Sequence, residues 1–247
     1  MDDKKIRLSV IIPAYNEEKR LPRTLEEIND YLQKQPYGSE IIVVSVGSKD
    51  KTVEVAQNFS DKIRKIEIIN MPQSGEGKGY SVKQGMLKAK GEYRVFTDAD
   101  NSTPVDQVEK MWPEFEKGYD VVIGSRDMKN SDVAVPQPFF RRFLGNGFNI
   151  LVQVILGLYG IWDTQCGFKG FSAKAAEDIF PRSEIKHFGF DPEILVLAKK
   201  YGYKIKEVPI RWLNDADSKV KMSATVKMFM EVLTVRKNLI IGKYNKK

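Results

Sequence analysis

Apolar residues run in short blocks through the first half of the chain. After each block they recur only every three or four positions. Blocks at Arg7–Ile12, Glu40–Val46, Ile63–Ile69, Tyr93–Thr97 and Tyr119–Gly124 predict strands. Spaced patterns at Glu18–Gln33, at about 50–59 and at Tyr80–Ala89 predict helices between them. Such alternation implies an α/β fold: a mostly parallel central sheet with helices on both faces. Ligands of such sheets bind beyond the carboxyl ends of the strands. Pro13 to Glu18, Val46 to Lys49, Asp98 with Asp100, and Ser125-Arg126 all fall there.

The second half reads differently. Phe143–Trp162 carries no charged residue and is long enough to span a bilayer as a helix. Its four glycines, with Asn146, Asn149 and Gln153, argue against a span. They predict an amphipathic helix pair, lying in a membrane interface or packed on the core. Strand-like runs return at Gly167–Ser172 and Tyr203–Trp212, with a helix at Phe190–Tyr201 between them.

Length and composition fit one large domain over residues 1–247, divided near residue 126. Cys166 is the only cysteine, so no disulfide framework exists, and it reads as a small buried apolar residue. The start at Met1 leads straight into a strand, with no pattern of a signal peptide or anchor. The net charge of +7 admits nucleic acid, an anionic membrane or phosphorylated substrates as partners. Between Lys219 and Lys247 eight basic residues face the lone acid Glu231, with apolar residues at helical spacing. That pattern suits a membrane-surface helix better than a nucleic-acid arm. An ordinary helix with a solvated basic face has the same pattern.

The chemistry centres on Thr97-Asp98-Ala99-Asp100, directly after an apolar strand. Two carboxylates one residue apart repel unless a cation sits between them, and a hard divalent ion is the usual answer. Mg²⁺ or Mn²⁺ on few carboxylates completes its shell with substrate phosphates. The competing reading is a surface turn, where Asp is common. Gly75-Glu76-Gly77-Lys78-Gly79 opens a helix whose N-terminus favours anions, with Lys78 adding charge. The alternative there is a plain flexible turn. His187, the only histidine, reads as structural or near an acceptor mouth rather than as a metal ligand.

With these motifs in order, the chain resembles the family 2 glycosyltransferases of the Rossmann-like GT-A fold. The resemblance rests on Val10 to Glu18, Gly47 to Thr52, Gly77-Lys78-Gly79 and Asp98-Ala99-Asp100. Gly124-Ser125-Arg126, Asp163 to Lys169, Phe190-Asp191 with Glu193, and Ser218-Lys219 narrow it. They make the chain most similar to dolichyl-phosphate β-glucosyltransferases and other polyprenyl-phosphate glycosyltransferases.

The resemblance implies an inverting transfer of a hexose from a nucleotide diphosphate sugar, UDP-glucose before other donors, to dolichyl or polyprenyl phosphate. It implies a peripheral protein on the cytoplasmic face of a membrane, binding no nucleic acid and able to form a homo-oligomer. Residues 1–126 would hold the donor and 127–247 the acceptor and the interface. Pro13, Ala14, Tyr15, Glu17, Val46, Lys78, Ala99, Arg126 and Lys219 would line the nucleotide-sugar site with Asp98 and Asp100. Those two acids would also hold the metal. Asp100, Asp191 and Arg126 would be catalytic, and Arg141, Arg142 and Lys169 would take the acceptor phosphate.

Two departures stand out. Val46 occupies a position where relatives carry Asp, removing a polar handle for the base. Val208 replaces the Gln of the Gln-x-x-Arg-Trp signature completed by Arg211-Trp212, which argues against a processive polymerase. A soluble or glycan acceptor, and a donor-binding protein weakened at Val46, stand as alternatives.

Overall fold

The computed structural model describes residues 5–72, 75–133, 139–213 and 222–245, with backbone alone for 133, 139–146 and 222–224. Nine strands are described: β1 (Ile6–Ala14), β2 (Gly38–Val46), β3 (Ile66–Met71), β4 (Tyr93–Phe96), β5 (Val121–Ser125), β6 (Asp132–Val133), β7 (Lys169–Ser172), β8 (Ile205–Pro209) and β9 (Arg211–Trp212). Eight α-helices accompany them: α1 (Leu21–Gln33), α2 (Thr52–Gln57), α3 (Lys78–Lys88), α4 (Trp112–Glu116), α5 (Phe139–Leu156), α6 (Ala173–Ile179), α7 (Phe190–Lys200) and α8 (Met222–Ile240).

Seven strands form one sheet in the order β3-β2-β1-β4-β7-β5-β8. Only β7 runs antiparallel, against both β4 and β5. Its reversal brings Lys169, at its start, beside Phe96, at the end of β4. The loop entering β7 therefore arrives at the same edge as the loop leaving β4.

The inner strands β1, β2 and β5 are buried on both faces and so are largely apolar on both sides, whereas the edge strands β3 and β8 are only partly covered. In β1, Leu8, Val10 and Ile12 face one helical layer and Ile11 the other. Helices α1, α2 and α4 cover the first face. Helices α3, α5, α6, α7 and α8 build the second. In α1, Leu21, Leu25, Ile28 and Leu32 recur at helical spacing, and all are buried. Full burial of each contributes about 1.5–3 kcal/mol.

The elements follow the sequence pattern with local differences. β3 starts at Ile66 rather than Ile63, and α1 starts at Leu21 after a turn, with Pro22 in its first turn. The expected helix pair over 143–162 is one helix, α5, stopped at Gly157, which takes φ +69°. The run Tyr203–Trp212 splits at Ile210 into β8, in the main sheet, and β9, which pairs with β6.

A buried polar hub joins the second layer. Glu193 of α7 accepts the N–H groups of Glu184 (2.8 Å) and Ile185 (2.9 Å) and the Tyr244 hydroxyl (2.6 Å). Burial pushes its carboxyl up to about 7 from 4.5, with those hydrogen bonds opposing. The folded state therefore holds this proton more tightly than the unfolded chain. Its contribution to stability is full below about 4.5 and is lost as pH rises towards about 7. Urea midpoints measured from pH 4.5 to 8 should fall across that window, and Glu193→Gln should flatten the fall.

Candidate active site

The site is assembled at the carboxyl edge of the sheet. After β1, Asn16 takes φ +54° and turns the chain, a conformation that Asn tolerates better than most residues. Its side-chain oxygen accepts from Lys49 N–H (2.8 Å), and its own N–H donates to the Ser48 hydroxyl (3.2 Å). Glu17 N–H donates to Thr52 Oγ1 (2.7 Å), and Glu18 N–H to Asp50 Oδ2 (3.1 Å). The loops after β1 and β2 are thus stitched into one floor. Burial raises the Asp50 carboxyl, but hydrogen bonds from Thr52 and from Glu18 N–H outweigh it and hold Asp50 below the usual range.

On this floor Tyr15 is 56% exposed, free to take a planar ligand, while Pro13 and Ala14 end β1 beneath it. Glu17 grips Arg20 through both carboxylate oxygens, at 2.5 and 2.6 Å. Arg20 also comes within 3.8 Å of Asp100. Sequence reasoning missed Arg20, because its charge acquires meaning only when the turn before α1 folds over the end of β4.

After β4, Thr97 N–H still bonds Ile11 C=O (3.0 Å) and the chain then turns. Ala99 is buried and its carbonyl takes the Thr24 hydroxyl (2.7 Å), pinning the middle of the Asp-Ala-Asp run. Asp98 and Asp100 keep their carboxylates partly open on either side. Burial, and next the charge of Asp98, push the Asp100 carboxyl up, with Ser102 N–H and Arg20 opposing.

Lys78, at the start of α3, bonds Asp98 Oδ1 at 2.5 Å. Burial alone would lower its ammonium. The fields of Asp98, then Asp191, and also Asp100 outweigh that and keep it charged well above the ordinary range. Three carboxylates are therefore gathered around one lysine.

The loop from Asp163 to Lys169 crosses the front of these groups and is anchored three times. Asp163, fully buried, receives Arg126 Nε (2.8 Å), Nη2 (2.8 Å) and backbone N–H (3.0 Å). Burial raises the Asp163 carboxyl, but Arg126 outweighs it and holds it below the usual range. The Arg126 guanidinium lies 5.5 Å from the Trp212 ring centre, so it is held between an acid and an aromatic face. Glu207 accepts the N–H groups of Trp162 and Asp163, which fixes the acid itself. Further on, a Cβ at Gly167 would sit 2.1 Å from Asp98 Oδ2, so any larger residue there would displace the Asp98 carboxylate.

At the loop's end Lys169 is fully buried. It bonds the Asp191 carboxylate and Cys166 C=O (2.6 Å), with the Phe96 ring beneath it. Burial raises the Asp191 carboxyl, against Lys169 and then Lys78. This placement corrects the expectation that Lys169 meets the acceptor phosphate: its ammonium is consumed inside the protein. Cys166 is buried as expected, and burial pushes its thiol up to about 12.

Val46 is likewise not at the site surface. It is 3% exposed and packs with Ile42, Val44 and Val82 under the sheet. We expect Val46→Asp to lose stability through an unpaired buried carboxylate, seen as a Tm several degrees lower. UDP affinity measured well below the transition should change less than about threefold.

Gly77 and Gly79 also have a packing reason. A Cβ on Gly77 would meet the His187 ring at 2.2 Å, and one on Gly79 the Ile185 carbonyl at 2.6 Å. His187 packs beside Gly77, and burial, then Lys227, lower its imidazole. Arg141 and Arg142 fall within α5, but their side chains, and all of Lys219, lie outside the described residues.

Helices α5 and α8 have apolar residues on two sides. In α5, Val152 and Leu156 are buried, whereas Ile150, Leu151 and Val154 are exposed, as are Tyr159 and Trp162 just beyond. In α8, Val232 and Val235 are buried, and Val226, Met230, Leu233 and Ile240 are exposed along the opposite side. Lys227, Arg236 and Lys237 border or interrupt that outer stripe. Among the described residues no helix is long and apolar enough to cross a membrane.

The model of the family described as "Glycosyl transferase family 2" matches residues 9–180. Relatives named dolichyl-phosphate beta-glucosyltransferase are similar over nearly the whole chain. One from Trichomonas vaginalis is 36% identical over 246 residues, covering 95% of this chain and 74% of its own. The Saccharomyces cerevisiae protein is 36% identical and covers 100% and 79%. The human protein is 34% identical and covers 96% and 76%. Among solved structures, glucosyl-3-phosphoglycerate synthase from Mycobacterium tuberculosis with Mn²⁺, uridine diphosphate and phosphoglyceric acid superposes with a TM-score of 0.70. It is 17% identical, and the match covers 98% of this chain and 80% of that one. At that identity the likeness speaks for the fold.

Proposed function

The chain belongs to glycosyl transferase family 2, and we propose that it moves one glucose, with inversion, from UDP-glucose to dolichyl or polyprenyl phosphate. The transfer would take place at the cytoplasmic face of a membrane, with the protein bound peripherally. The observation that carries the reading is the cluster of Asp98, Asp100 and Asp191 around Lys78 at the ligand-binding edge of the sheet. The names of the relatives at 34–36% identity favour a lipid phosphate as acceptor. The outer stripes of α5 and α8 favour it over a soluble acceptor.

The acid pair fits a divalent ion. Asp100 is raised in part by the charge of Asp98, the mark of carboxylates short of positive charge. Asp98 and Asp100 would hold Mg²⁺ or Mn²⁺, which neutralises charge on the departing diphosphate when bound. Lys78 compensates the acids from the other side, at a helix N-terminus suited to phosphate. Pro13, Ala14, Tyr15 and Glu17 form the floor for base and ribose. Arg126, locked by Asp163, is oriented without the entropy cost of a free side chain.

The acceptor phosphate is itself an anionic nucleophile. It needs positioning more than deprotonation, so Asp191, held by Lys169, is placed to orient rather than to act as a strong base. Arg141 and Arg142 are the acceptor-phosphate candidates that remain, and Lys219 stays a donor-phosphate candidate.

The test is transfer from radiolabelled UDP- and GDP-sugars into organic-extractable polyprenyl phosphate, with Mg²⁺, Mn²⁺ or chelator. Metal-dependent label in the lipid phase from UDP-glucose is the expected result. Label appearing only in soluble acceptors would overturn the lipid assignment. Tight nucleotide binding with no transfer to any acceptor would mean a binding protein.

A further inference from the structure

The acid pair stands on a turn rather than on a strand. β4 ends at Phe96, and Asn101 N–H closes the turn onto the Asp98 carbonyl at 3.1 Å. Asp98 and Asp100 are the first and third residues of that turn. Carboxylates on a loop are placed only as precisely as the loop itself is held. Asn101, directly after the pair, takes φ +52°. Asn reaches this left-handed conformation more readily than most side chains, yet it still has to be held there.

The support comes from one face of α1. Arg20 at its N-terminus, then Thr24 and Glu27, follow at spacings of four and three, so they form a polar ridge beside the buried Leu21, Leu25 and Ile28. Each meets a different residue of the turn. Arg20 Nη1 lies 3.8 Å from Asp100 Oδ2. The buried Thr24 hydroxyl donates to the Ala99 carbonyl (2.7 Å), between the two acids. One Glu27 oxygen accepts the side-chain N–H of Asn101, and the other accepts Arg23 Nε at 2.6 Å. Arg23 thus steadies the Glu27 carboxylate that holds the left-handed residue. One helix face therefore fixes three consecutive residues, 99 to 101.

We propose that Thr24 and Glu27 are positioning residues of the metal site: by holding the turn they set the spacing of Asp98 and Asp100 for a divalent ion. This rests on the metal reading above and not on the identity of the acceptor. Groups that orient metal ligands without touching the ion change its affinity by about 10–100-fold when removed.

The experiment is calorimetry of Mn²⁺ binding, alone and with saturating UDP, well below each protein's thermal transition. Wild type is compared with Thr24→Val and Glu27→Leu, which abolish the hydrogen bonds, and with Thr24→Ser and Glu27→Gln, which keep an oxygen in place. The Val and Leu variants should bind Mn²⁺ at least about tenfold more weakly, and the Ser and Gln variants within about threefold of wild type. Glu27 is only partly buried, so its two variants decide the matter even where Thr24→Val lowers Tm. Unchanged Mn²⁺ affinity in Glu27→Leu, with or without a fall in Tm, makes the ridge purely structural and overturns the inference. Equal losses in Glu27→Gln and Glu27→Leu would mean that the charge acts at a distance, which also overturns it. A wild type that binds no Mn²⁺ in either condition defeats the metal reading and this inference together. A wild type that binds Mn²⁺ no better than the Val and Leu variants defeats the inference alone.

Discussion

Replacing Asp100 with alanine should lower transfer by about 10³-fold, the scale of losing one charge-stabilising group from an active site, or about 4 kcal/mol. The same change should not harm the fold. Burial and the neighbouring Asp98 already disfavour the Asp100 carboxylate, so its removal relieves repulsion. Tm should therefore stay level or rise, the usual sign of a residue kept for function at the expense of stability. A second readout separates metal binding from other roles: Mn²⁺ should raise the Tm of wild type and not of Asp100→Ala. Turnover at the wild-type rate would remove Asp100 from the site. A Tm that still responds to Mn²⁺ would place the ion elsewhere.

Lys169→Met should act in the opposite way, through the fold. Lys169 and Asp191 form an ion pair with 0% and 3% side-chain exposure. Breaking such a pair from one side leaves a buried charge unpaired and costs about 3–5 kcal/mol. At this chain length that corresponds to a Tm lower by roughly 6–20 °C. The Asp191 carboxyl would lose the main group opposing its upward shift and would take up a proton at higher pH than in wild type. Any residual transfer should then require higher pH, because Asp191 would ionise later. A lysine that binds acceptor phosphate behaves otherwise, raising the acceptor KM with Tm unchanged. That outcome would restore the acceptor-phosphate role that the resemblance implies for Lys169.

The two predictions diverge because local sequence encodes some of these features and not others. Strand and helix alternation is local: each apolar block of the first half became a strand of the sheet, and α1 buries the residues its spacing marks. The carboxylates at the end of β4 were legible for the same reason, since a strand that ends in Asp-Ala-Asp must deliver both acids to one edge. Membership of the family followed from short motifs in order.

Charge pairing was not legible, because it depends on which loops meet. Nothing in the chain shows that β7 runs antiparallel between β4 and β5. That reversal alone seats Lys169 beside Asp191 and Gly167 against Asp98. Likewise, nothing in the chain pairs Arg126 with Asp163, 37 residues later, the contact that orients it. Arg20 is an ordinary pre-helix residue until it reaches both Glu17 and Asp100. The sequence by itself determined the sheet, the edge where chemistry gathers and the acids that define it. Only the tertiary structure decided which cations are consumed inside the protein and which still face the site. The free energy of a charge depends on its burial and its partners, and both are set by contacts between segments far apart in the chain.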